Sequence, residues 1–224
     1  MSPVLSDELR RTADAIVGKY PNARSAILPL LFLVQSAEGY VTEEGMREVA
    51  AFVGLEPAQV LATSSFYTML KKRPQGDYLI SVCRNIACTH LGAREVIAGL
   101  EERLGMNVGE TTADGKFSLE SAECLATCDG APSLQINYED FYNVSVDDAC
   151  ALVDRLERGD DVSSVRAEPV RTGREISYEI ATAGLRVPGS AGDHVARTIG
   201  GESPRADTAA GTRPKEPGTD GANE

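Results

Sequence analysis

Through the first third of the chain apolar residues recur at helical spacing, and after residue 77 they regroup into short runs of strand length. Leu9, Ala13, Ile16 and Val17 form the first helical stripe, with Ser6 placed to cap it and Pro21 to stop it. The spacing predicts a second helix over residues 25–38, ended by Gly39. Pro29 is tolerable there only in the first turn, where a missing N–H has no helical partner to lose. Thr42 can cap a third helix that carries Met46, Val49, Ala50 and Val53 and closes at Gly54, and Pro57 opens a fourth. Four short helices with tight connections predict a small bundle over residues 1–75, and Lys71-Lys72-Arg73-Pro74-Gln75-Gly76 reads as a polar linker.

Tyr78-Leu79-Ile80-Ser81-Val82 is a strand candidate, and Leu91 to Leu104 reads as a helix closed by Gly105. Asp114-Gly115 is a turn signal before the strand candidate Phe117-Ser118-Leu119. Leu134 to Asn137 and Phe141 to Val144 flank Tyr138-Glu139-Asp140 and predict a hairpin. A last helix over about 148–158, capped by Ser145 or Asp147, ends at Gly159. Residues 76–159 therefore predict a small α/β sandwich. Beyond Gly159 the chain turns to Gly, Pro, Ser, Thr and Arg, with Tyr178 its only aromatic residue. Such a stretch buries too little apolar surface to offset its ordering entropy, so residues 160–224 are expected to form a largely disordered tail, with 175–180 able to order against a partner. The fold class expected is α+β, a helical bundle followed by an α/β domain and a tail.

At 224 residues the chain has room for one ordinary domain or two small ones. Acidic residues outnumber basic ones 34 to 22, a formal net charge of -12 that argues against nucleic acid as a partner. The first residues are charged, and no run of some 18 apolar residues occurs, so the expectation is a cytoplasmic protein without direct membrane insertion. In that reducing compartment the five cysteines suit metal ligation or redox chemistry better than disulfides. The chain lacks a Gly-x-Gly-x-x-Gly dinucleotide loop and a Gly-x4-Gly-Lys-Ser/Thr phosphate loop. A redox role would thus draw its electrons from another subunit.

The cysteines fall as Cys83-x4-Cys88, then 35 intervening residues, then Cys124-x3-Cys128. A [2Fe-2S] cluster needs four thiolates, two per iron, and two loops each donating a pair supply them. Structural zinc also takes four cysteines, and reactive thiols are a third reading. Spacing alone leaves these open. Cys150 falls in helical register with Val146, Val153 and Leu156 and reads as a core residue. His90 lies near Cys88, but a Rieske site needs two histidines on one iron and the second, His194, sits far off in the tail. His90 is read as a polar residue near a helix start.

Beyond spacing, several segments carry a family likeness: Arg24-Ser25-Ala26-Ile27-Leu28-Pro29, Gln35, Gly39-Tyr40-Val41-Thr42, Ser65-Phe66-Tyr67-Thr68, Val82-Cys83-Arg84-Asn85-Ile86-Ala87-Cys88, and Glu123-Cys124-Leu125 through Cys128 to Ala131-Pro132. With the four cysteines they resemble the thioredoxin-like [2Fe-2S] subunit of NADH:quinone oxidoreductase, the NuoE-type subunit of respiratory complex I, over roughly residues 6–158. The resemblance implies a helical bundle joined to a thioredoxin-like [2Fe-2S] domain. One iron would be held by Cys83 and Cys88 and the other by Cys124 and Cys128. It also implies partners: a subunit binding FMN and NADH, and other subunits of the hydrophilic arm of complex I, which would place the chain at the inner face of the cell membrane. The implied role is electron transfer without a substrate site of its own, taking one electron from reduced flavin and returning it. The equivalent subunit of an NAD-linked hydrogenase or formate dehydrogenase shares these motifs. A zinc-stabilised adaptor and a free-standing ferredoxin are the remaining alternatives. One departure stands out, since Ala126 occupies a position where the family often has Gly, and a left-handed backbone there would strain it.

Overall fold

The computed structural model describes residues 3–185, and in them the buried apolar side chains gather into two separate cores. The first is helical. Helix α1 (Asp7–Val17) starts where Ser6 Oγ accepts the Leu9 N–H at 3.3 Å and turns Ala13 and Ile16 inward. A short 3₁₀ turn, Ala23–Ala26, precedes α2 (Ile27–Glu38), which therefore begins two residues later than the apolar spacing suggests. Helix α2 buries Ile27, Leu30, Leu31, Leu33 and Val34, nearly its whole circumference, as befits the central helix of a bundle. Gly39 ends it at φ +86°, where a side chain would be strained. Around it lie α3 (Glu43–Val53), capped by Thr42 Oγ1 on the Gly45 N–H at 3.0 Å, and α4 (Pro57–Phe66).

The second core forms around a four-stranded sheet. Strand β1 (Tyr78–Cys83) is followed by the short helix α5 (Ile86–His90), α6 (Ala93–Leu104), β2 (Phe117–Ala122), β3 (Leu134–Ile136), β4 (Glu139–Phe141) and α7 (Val146–Arg158). The spatial order is β2-β1-β3-β4, with β1 and β2 parallel and the other pairs antiparallel. Ile80, Val82, Phe117, Leu119, Leu134 and Ile136 share one face and pack with Val96 and Leu100 of α6 and Ala149, Val153 and Leu156 of α7. The helix expected over Leu91 to Leu104 starts two residues later, at Ala93, because Gly92 at φ +105° separates it from α5, and it closes at Gly105 as expected. The hairpin connection is also shorter than expected: Asn137 and Tyr138 alone turn the chain, at φ +48° and +73°, so Glu139 and Asp140 belong to β4. Asn137 tolerates that backbone because its amide is fully used, accepting from Leu79 N–H and donating to the carbonyls of Asp77 and Arg171.

The expectation of a largely disordered tail from residue 160 fails over its first part. Residues 162–170 fold against the sheet edge, where the Val165 N–H donates to the Asp140 carbonyl at 3.0 Å. Helix α8 (Gly173–Thr182) then packs on α2 and contributes Ala181 to the bundle core. Small side chains at Ser177 and Ala181, both buried, let it lie close. Its start is set by Thr172 and Glu175, each side chain accepting from the other's backbone N–H. Arg174 donates to the last carbonyls of α2, at Ala37 and Glu38, which have no helical partner. The buried Gln35 ties the region together, donating to Met69 O and Ser177 Oγ and accepting from the Lys71 N–H. The expected tail beyond 185, with His194, lies outside the described residues. Among the described residues no single helix is long and apolar enough to cross a membrane. Helices α3 and α4 pass that test only as a pair bent by 114°.

Candidate metal centre

Parallel neighbours end on the same side of a sheet, and this places the cysteines. Cys83 closes β1 opposite Ala122, the last residue of β2, and Cys124 follows two residues later. The loops after β1 and β2 thus emerge side by side. Arg84 N–H donates to the Ala122 carbonyl at 2.9 Å, and the Arg84 side chain pairs with Glu123. Cys83 and Cys88 are buried, at 2% exposure each, whereas Cys124 and Cys128 are exposed. Cys88 lies within α5, and Cys128 opens a 3₁₀ turn that ends at Gly130.

The Cys128 thiol lies within electrostatic reach of the other three. The Cys128 thiol is pushed above its ordinary pKa, chiefly by Cys124, then by burial and a hydrogen bond with Cys124, and further by Cys88 and Cys83. A cation among them would reverse that repulsion and favour thiolates. The loop from Cys124 turns through Ala126 at φ +59°, so the left-handed backbone suspected from the sequence is present. A left-handed Ala costs about 1–2 kcal/mol, and in the same turn the Ala126 N–H donates to Cys124 Sγ, 3.4 Å away. Two buried hydroxyls complete the surroundings. Ser133 Oγ lies 3.6 Å from Cys88 Sγ and 2.6 Å from Thr127 Oγ1, and the Ser133 carbonyl accepts the Cys83 N–H at 3.2 Å. Sequence reasoning missed both, because a hydroxyl between two cysteine loops has no spacing signature.

Gly130 shows how little room the 128–130 turn has. A Cβ there would stand 2.2 Å from Cγ of the Tyr142 ring. Gly130→Ala is expected to displace that turn and to lower metal retention by the purified chain severalfold, read as iron per chain. Unchanged retention would show that the turn adapts.

The other candidates lie apart. Cys150, on α7, is half-buried, its thiol raised chiefly by burial and 3.9 Å from the Gly99 carbonyl oxygen. His90 ends α5 and is exposed. Among the described residues no three His, Cys, Asp or Glu side chains converge closely enough to hold one ion. A [2Fe-2S] group does not require that, since it takes two thiolates at each of two irons. Four thiols on two adjoining loops, with a backbone N–H and a hydroxyl aimed at sulfur, fit such a group.

Residues 13–157 match the sequence profile of the thioredoxin-like [2Fe-2S] ferredoxins. The chain belongs to that family. Within it, the chain is 41% identical over 179 residues to a subunit of the NADH-quinone oxidoreductase of Mycobacterium tuberculosis, covering 80% of this chain and 71% of that one. It is 34% identical over 191 residues to NADH-quinone oxidoreductase subunit 2 of Thermus thermophilus, covering 84% and 95%. A subunit of the NADH-quinone oxidoreductase of Rhizobium meliloti is 32% identical over 165 residues, covering 74% and 98%. These relatives are subunits of an oxidoreductase. Among solved structures, the NAD+-reducing [NiFe]-hydrogenase in its air-oxidised state aligns with a TM-score of 0.53 at 22% identity, over 59% of this chain. That likeness is one of fold, and this chain spans only 23% of the hydrogenase chain.

Proposed function

We propose that Cys83, Cys88, Cys124 and Cys128 hold one [2Fe-2S] cluster and that the chain is an electron-transfer subunit of an NADH-quinone oxidoreductase. The observation that carries this reading is the placement of all four cysteines at or just beyond the same end of the β1–β2 pair, in a chain of the [2Fe-2S] family. The bound cluster would supply one-electron storage, exchanged with FMN on a partner subunit that also takes NADH. The residues of this chain set the conditions. Cys83 and Cys88 form the buried side of the site, keeping water from that half. The Ala126 N–H partly neutralises charge on Cys124, which favours the more negative, reduced state. Cys124 and Cys128 form the exposed side, open to a partner. Ile86 and Leu91, exposed at 74% and 60%, leave apolar surface on either side of Cys88 in the chain, where a docked flavoprotein would exclude water. Electron exchange through the complex would place the chain at the inner face of the cell membrane.

Because the chain has neither a dinucleotide loop nor a phosphate loop, reduction by NADH should depend on the partner. The iron-loaded chain alone is expected to keep its oxidised spectrum when NADH is added anaerobically, and to bleach once the flavin-binding partner is present. Direct bleaching without a partner, or none with it, would contradict the assignment.

A further inference from the structure

Two hydroxyls buried behind the cysteines, Ser133 at 2% exposure and Thr127 at 7%, do more than fill space. Burying a hydroxyl costs free energy unless its proton finds an acceptor. Each of the two has one proton to give. Ser133 Oγ has two neighbours, Cys88 Sγ at 3.6 Å and Thr127 Oγ1 at 2.6 Å. A metal-bound thiolate can only accept, so the Ser133 proton is drawn to the sulfur. The short contact to Thr127 is then made by the threonine proton, donated to Ser133 Oγ. The opposite order would leave the thiolate without a donor.

We propose that Thr127 and Ser133 form a hydroxyl relay, Thr127 to Ser133 to Cys88 Sγ, that raises the reduction potential of the group held by the four cysteines. The proposal rests on the four-cysteine reading above. Adding one electron increases negative charge on the thiolates, so a donor aimed at one of them stabilises the reduced form more than the oxidised form. No proton moves in the step; both hydroxyl protons stay on their oxygens and only their hydrogen bonds strengthen. Ser133 is well placed for such a role because its backbone is fixed independently of its hydroxyl, through its carbonyl to the Cys83 N–H. Thr127 in turn sits immediately before Cys128, so the relay links the second cysteine loop to the buried sulfur of the first. Both are positioning residues that act through Cys88.

The test uses the full chain, loaded with iron and sulfide anaerobically, as wild type, Ser133→Ala, Thr127→Val and Thr127→Ser. Iron content and visible absorbance come first, and a wild type that binds no iron would defeat the four-cysteine reading itself. Spectroelectrochemical titration then reads the relay. In Ser133→Ala the ratio of reduced to oxidised cluster at a fixed potential is expected to fall on the order of tenfold, a shift of about 59 mV for a one-electron couple. Thr127→Val should shift it in the same direction by less, and Thr127→Ser should match wild type. In deuterated buffer, magnetic resonance of the reduced cluster should show an exchangeable deuteron that Ser133→Ala removes. If Ser133→Ala loads no iron, Thr127→Val decides, since the hydroxyl it removes is bonded to Ser133 Oγ. Iron-loaded variants with the wild-type potential and the wild-type deuteron coupling would overturn the relay and leave the ligand assignment standing.

Discussion

Cys124→Ser is expected to reduce the iron and sulfide of the purified chain from about two of each to nearly none and to remove its visible absorbance. Cys150→Ser is expected to leave both unchanged. A serine hydroxyl does not ionise near neutral pH, so the substitution removes one of the four anionic donors that a [2Fe-2S] group needs. It does so at an exposed loop where the packing loss is small. Cys150 serves as the control because it shares chemistry but not location. It lies on α7 against Gly99, and the buried core of α7 is carried by Ala149, Val153 and Leu156 instead. Ser145 and Asp148, which cap that helix reciprocally, are also untouched by the change. Equal loss of iron from both variants would show that cluster retention follows general stability, and the ligand assignment would fall.

Ala181→Asp is expected to cost about 3–5 kcal/mol, because it places a carboxylate without a partner on the face of α8 that is buried against the bundle. For a chain of this size that corresponds to a fall in Tm on the order of 10 °C. Tyr178→Asp, on the same helix at 44% exposure, should move Tm by no more than about 2 °C. Below the transition the cluster absorbance of both variants should match wild type, since Cys83 and Cys88 belong to the sheet core, Cys124 and Cys128 follow β2, and Ala181 belongs to the helical core. Equal, small effects of the two substitutions on Tm would mean that α8 does not pack on α2.

Helix α8 also marks where the sequence is harder to read. Ser6, Thr42, Gly39 and Gly54 each combine a capping side chain or a left-handed glycine with a strong apolar stripe, and those boundaries are legible. The stripe of α8 is made largely of Ser177 and Ala181, which carry little hydrophobic signal. Its stability comes from close approach to α2 and from Arg174 on the α2 carbonyls, contacts more than 130 residues apart in the chain. The reciprocal cap of Thr172 and Glu175 is the available local clue. The hairpin differs from expectation by two residues because Tyr138 occupies a left-handed turn position where tyrosine is uncommon. It is held there by the hydrogen bonds of Asn137 beside it. Of the site, the four cysteines are legible from spacing and from the segments around them. Ser133 and Thr127 are not, because their approach to Cys88 depends on how β1 and β3 pair.

The central claim is that these four thiols hold iron and sulfide rather than another metal. Its most direct test is metal and acid-labile sulfide analysis of the full chain prepared anaerobically, together with its visible spectrum and the magnetic resonance of the dithionite-reduced form. The expected result is about two irons and two sulfides per chain, a reddish protein, and a one-electron signal on reduction. A colourless chain carrying one zinc and no sulfide would contradict it.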